Sequence, residues 1–63
     1  MIHAIYHSRR GSNYWKLVCA YTDEMPEEIV DQVRAAIVTS DDDETYERSF
    51  GCPQDVRTFL PKK

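Results

Sequence analysis

Two segments rich in β-branched and aromatic residues, IHAIYHS at 2–8 and NYWKLVCAY at 13–21, flank the tetrapeptide Arg9-Arg10-Gly11-Ser12. This pairing constrains the fold more than any other feature of the chain. Each segment suits a half-buried pleated surface, and glycine supplies the positive φ of a tight turn. The pattern predicts a β-hairpin. With residues 9–12 as its loop, Tyr6 stands opposite Trp15, Ala4 opposite Leu17 and Ile2 opposite Cys19. These six share one apolar face, and a slip of one residue would scatter them. His3, Ile5, His7, Tyr14, Lys16 and Val18 fall on the other face.

Proline is favoured at the first position of a helix and acidic residues in its first turn. Pro26-Glu27-Glu28 therefore predicts a helix starting near Pro26. Ile29, Val30, Val33, Ala36 and Ile37 recur at helical spacing as its apolar stripe, with Asp31, Gln32 and Arg34 elsewhere. The acidic run Asp41-Asp42-Asp43-Glu44 opposes a helix C-terminus, so the helix should end near Val38 or Thr39. Thr45–Phe50 alternates, with Tyr46, Arg48 and Phe50 on one side, which predicts a third strand. A short helix capped by Ser40 is its rival, since Tyr46 and Phe50 also stand four apart. After Gly51, Pro53 can open a last short helix with Val56, Phe59 and Leu60 inward, ended by Pro61 and followed by a fraying Lys62-Lys63. The expected fold class is a small single α+β domain, ββαβα or alternatively ββαα. A two- to three-stranded antiparallel sheet would pack one face on the main helix.

At 63 residues and 7.4 kDa there is room for one such domain over the whole of 1–63, and for no Rossmann unit or barrel. A domain this short buries only about 60% of the surface its unfolded chain exposes, so a staple or a partner is expected. Cys19 and Cys52 could form one disulfide, but disulfide scaffolds carry more cysteines. Both read as reduced thiols in a cytoplasm. No secretory leader and no membrane span are recognisable.

The formal net charge of −3 hides a segregated layout. Residues 1–22 hold Arg9, Arg10 and Lys16 and no acid, for +3. Residues 23–55 hold eleven acids against Arg34 and Arg48, for −9, and residues 56–63 hold Arg57, Lys62 and Lys63, for +3. Such runs are often only solvated faces. They also suit docking on a basic protein surface, where carboxylates compete for the lysines and arginines that nucleic acid would use.

Catalytic and metal readings are thinner. His3 and His7 share a strand face, but four residues at about 3.3 Å each put them roughly 13 Å apart, too far for one ion. On the predicted register Cys19 points away from both. Cys52 at a helix N-terminus, with a histidine, is the best candidate for a thiol or metal site, though no motif supports it. No cofactor is implied. Solvated carboxylates in a run are poor acid–base pairs, and two glycines make no phosphate loop.

The expectation is a non-enzymatic protein-binding regulator of the size of phage or bacterial accessory proteins, cytoplasmic in a bacterial or infected host cell. It would inhibit or modulate a larger protein with a basic surface. The contact residues would be Glu27, Glu28, Asp31, Asp41, Asp42, Asp43 and Glu44, with Arg9 and Arg10 as a second contact. A homodimer through a sheet edge fits the short chain. A nucleic-acid module using Tyr14, Lys16, His3, His7 and the Arg9-Arg10 tip ranks behind, because the net charge is negative.

Overall fold

β1 (Ile2–Arg9), β2 (Lys16–Thr22), α1 (Glu27–Ile37), β3 (Asp43–Phe50) and α2 (Pro53–Thr58) follow one another along the chain. The computed structural model describes residues 1–61; Lys62 and Lys63 lie outside the described residues, and so does the expectation of a frayed basic end. The class is α+β, in the order ββαβα. Residues 43–50 are a strand, as the alternation of Tyr46, Arg48 and Phe50 predicts. Among the described residues no helix is long and apolar enough to cross a membrane.

The three strands lie in the order β2-β1-β3, all neighbours antiparallel. The first strand is thus central, and β2 and β3 are the edges. β1 and β3 pair without interruption from Ile2 opposite Phe50 to Arg9 opposite Asp43.

The hairpin register differs from the expected one. Ala4 stands opposite Ala20, Ile5 opposite Cys19 and Tyr6 opposite Leu17, with Val18 left over as a bulge. The turn itself is where glycine predicts it: Gly11 has φ +91°, and the Ser12 amide donates to the Arg9 carbonyl at 2.9 Å. The shift arises in the three residues after it. The Ser8 hydroxyl donates to the Tyr14 carbonyl at 2.8 Å. Trp15 folds onto Tyr46 with ring centroids 5.8 Å apart. Trp15 thus turns onto the sheet while Tyr14 keeps an isolated β-bridge and stays exposed, the expected pairing is not continued, and Lys16 becomes the partner of His7. The bulge then turns Cys19 to the face of His3 and His7, not away from them.

Both faces of the sheet are covered, not one. On the first face Ala4, Tyr6, Phe50 and Val56 form the core, with Ile2, Trp15, Tyr46 and Phe59 packed around them. Tyr6 and Phe50 each meet Phe59 edge-on, at 5.8 and 5.4 Å, so the short α2 closes this face with its C-cap aromatic. Leu60, expected inside, is exposed, because the helix ends at Thr58. On the second face Ile5 is buried beneath α1, whose own Val30 is buried as well.

α1 starts and ends where proline and the acidic run predict, but its contact stripe is rotated. Val30 is buried and Val33, Arg34 and Ile37 are half-buried, while Ile29 and Ala36 are exposed. Arg34 takes the place of an apolar residue because its guanidinium donates to both Glu47 oxygens on β3, each at 2.8 Å. A two-pronged pair of this kind fixes the helix over the sheet.

One core atom stands out. The Tyr6 hydroxyl is buried with no hydrogen-bond partner among the described residues. Leaving a buried polar group unpaired costs about 1–3 kcal/mol. Tyr6→Phe should therefore stabilise the fold by about 1 kcal/mol, read as a higher urea midpoint at unchanged slope. A destabilised variant would show that the hydroxyl does have a partner.

Candidate functional site

The acids that the sequence groups together divide into two sets. Asp43 is an internal hub, with its side chain 2% exposed. One carboxylate oxygen accepts from the Thr39 amide (3.0 Å), the Thr39 hydroxyl (2.9 Å) and the Ser40 amide (3.2 Å). The other lies 2.8 Å from His7 Nε2 and 3.6 Å from Arg9 Nε. His7 above all, then the Thr39 and Ser40 donors, hold its carboxyl far below the usual carboxylate range. Asp43 ties the end of α1 to β1 and β3 and has no oxygen turned toward a partner. Glu47, paired with Arg34, is a second acid engaged within the fold, although it stays on the surface.

Glu27, Glu28, Asp41, Asp42 and Glu44 are exposed. Asp31 is exposed too and pairs with Arg34 Nη1 at 2.8 Å. Glu27 and Glu28 sit in the first turn of α1, where the helix dipole favours negative charge. Asp41 and Asp42 lie beyond its other end. At about 1.5 Å per residue the eleven helical residues separate the two groups by roughly 16 Å.

Arg9 and Arg10, both exposed, lie next to the acidic turn. The Arg10 amide donates to the Asp42 carbonyl at 2.8 Å, and its Nε stands 4.0 Å from the Asp42 carboxylate. The hairpin tip therefore leans on the acidic turn and partly neutralises it.

His3 is held in a relay that sequence spacing does not reveal. Its Nε2 is hydrogen-bonded to Asp23 Oδ1, and its Nδ1 lies 2.7 Å from Ser49 Oγ. With Asp23 accepting from Nε2–H, Nδ1 is left to accept the Ser49 hydroxyl proton. His3 first, then the terminal ammonium, lowers the Asp23 carboxyl pKa. The residue types are those of a nucleophilic triad, yet Asp23 is 64% exposed, so water screens its hold on the imidazole. The relay joins β1, β3 and the β2–α1 turn as a tie. Register is the signal that could have found it: Ser49 is the cross-strand partner of His3.

These bonds also remove the histidines from the hairpin surface on which a nucleic-acid module would depend. His3 and His7 face α1, and each is engaged by an aspartate. Both cysteines are free. Burial first, and then nearby Glu47, raises the Cys19 thiol pKa, which makes it a poor nucleophile. Cys52 is exposed just before α2. Among the described residues no three His, Cys, Asp or Glu side chains converge as a metal-binding group. No family model matches the chain, and no curated protein and no solved structure is significantly similar to it.

The Asp43 hub has a pH signature. Its folded pKa is depressed, so its contribution to stability is complete above the unfolded value of about 3.9 and declines as pH falls below it. Asp43→Asn should lower Tm at pH 7 and flatten the acid limb of the Tm–pH curve. Asp41→Asn, on an exposed carboxylate, should leave both unchanged. Equal behaviour of the two variants in thermal melts from pH 7 to pH 2.5 would refute the hub.

Proposed function

We propose that this chain is a small non-enzymatic regulator that docks its acidic surface on a basic patch of a larger protein and inhibits it. The observation that carries the reading is the set of exposed acids: Glu27, Glu28 and Asp31 on α1, and Asp41, Asp42 and Glu44 after it. Asp43 belongs to the scaffold that holds the turn in place, and Arg9 and Arg10 limit how negative that turn is. Two groups of carboxylates, one in the first turn of α1 and one in the turn beyond its other end, roughly 16 Å apart, present charge with little ordering entropy left to lose on binding. A protein that otherwise binds nucleic acid offers the complementary surface, since lysines and arginines aimed at phosphates also receive carboxylates. Two free thiols support a reducing compartment, the cytoplasm of a bacterium or of an infected host cell.

Capture from a bacterial lysate with the tagged chain tests this. A single stoichiometric partner should elute with salt and be displaced by oligonucleotide. Each exposed charge pair contributes about 0.2–1 kcal/mol, so Glu27→Gln, Glu28→Gln, Asp41→Asn and Asp42→Asn together should weaken the complex at least about fourfold. A partner retained by this variant, or direct binding of oligonucleotide by the chain itself, sinks the proposal.

The non-enzymatic part has its own test. Hydrolysis of an activated ester should run no faster than with free imidazole, and Ser49→Ala should not change it. A rate lost with Ser49→Ala would instead make the Asp23–His3–Ser49 relay catalytic.

A further inference from the structure

The two open edges of the sheet are unlike. β3 carries Asp43, Glu44, Glu47 and Arg48 within eight residues, whereas β2 carries Lys16 alone within seven. Charge on an edge strand is one of the ways native sheets resist pairing with another copy, so β3 is guarded along its length, while β2 has only Lys16 at its start and the bulge at Val18. β2 is apolar on both sides of its pleat: Leu17 is 43% exposed and Val18 is 45% exposed.

α1 overhangs this edge. Arg34 reaches toward β3, and Ile37 lies with Val18 beside β2. At about 100° per residue, Ile29 and Ala36 come next around the helix, past the last strand. Ile29 is 42% exposed there. The apolar arc of the helix is thus wider than the part of it that the sheet buries.

We propose that the β2 edge is where two copies of this chain associate. The strands pair antiparallel about a two-fold axis and join the two sheets into one of six strands. The exposed flanks of the two α1 helices, with Ile29 and Ala36, then cover the junction. The charge layout favours a second copy over an unrelated strand. β2 opens on Lys16 and runs through the Asp23-Glu24 turn. Antiparallel pairing lays the start of one β2 beside the end of the other, so Lys16 of each copy meets the acidic turn of its mate. Glu27 lines a pocket with Tyr21, Thr22 and Asp23, at the same end of β2 as the acidic turn, so antiparallel pairing sets the two acidic ends at opposite ends of the junction and like charges do not meet. The Val18 bulge bends the edge but leaves Cys19–Thr22 in regular register.

Sedimentation equilibrium of the purified chain, with no other protein present, tests this apart from the proposed function. The apparent mass should rise with concentration from 7.4 kDa toward twice that value. Val18→Asp should raise the dimer dissociation constant at least about tenfold, since it buries a charge at the junction. Lys16→Glu should weaken the dimer severalfold, and Lys16→Glu with Glu24→Lys should restore it. All three side chains are on the surface, and an unchanged circular dichroism spectrum checks each fold. Should Val18→Asp unfold the chain, the charge swap alone decides. A chain that stays monomeric into the millimolar range overturns the proposal. So does a dimer indifferent to Val18→Asp or to the charge swap.

Discussion

The pairing of β1 with strands on both sides is the interaction on which the rest of the structure depends. It is the one strand with hydrogen-bonded neighbours at both edges, and Ala4, Ile5 and Tyr6 in its middle are almost wholly buried. Its even positions found the aromatic core that α2 closes. Its odd positions meet α1 and also supply His3 and His7, whose rings reach Asp23 and Asp43. Core, helix placement and polar ties thus all take their positions from one eight-residue strand.

What was legible in the sequence follows from what is local. The hairpin turn, the start of α1 at Pro26 and the strand at 43–50 rest on glycine, proline and alternation, each acting within a few residues. The hairpin register was not legible, because it turns on Trp15 choosing Tyr46 and on Ser8 capping the Tyr14 carbonyl. Both are contacts with residues distant in sequence or outside the ladder. The rotation of α1 was hidden for a similar reason. Arg34 looks like a solvent residue until Glu47, from another strand, is placed beneath it. On the candidate surface, exposed Glu27 and Glu28 follow directly from a helix N-terminus. Asp43 looks like its neighbours Asp41 and Asp42 in a run of like charge. Only the fold reveals that it points inward while they do not.

The segregated charge of the linear chain therefore changes meaning in three dimensions. Part of it is spent within the molecule: Asp43 on His7 and Arg9, Glu47 on Arg34, Asp23 on His3. The hairpin tip and the acidic turn, far apart in sequence, meet and moderate each other. A smaller and better-defined acidic surface remains at the start of α1 and in the turn after it.

The position of β1 also governs how the chain reaches its fold. The strand is first in sequence and central in space, and one of its two ladders waits for residues that come after the main helix. Ile2 meets Phe50, so the β1–β3 ladder closes a loop spanning most of the chain, while the β1–β2 hairpin forms from neighbours. Closing long loops before any contact rewards them slows folding. In the interval Ile5 and Tyr6 sit on an open edge of a two-stranded ribbon that is barely stable by itself. The arrival of β3 is then the step that commits the whole molecule, and the acid-lined strand that completes the sheet also shields its most sticky segment from other chains.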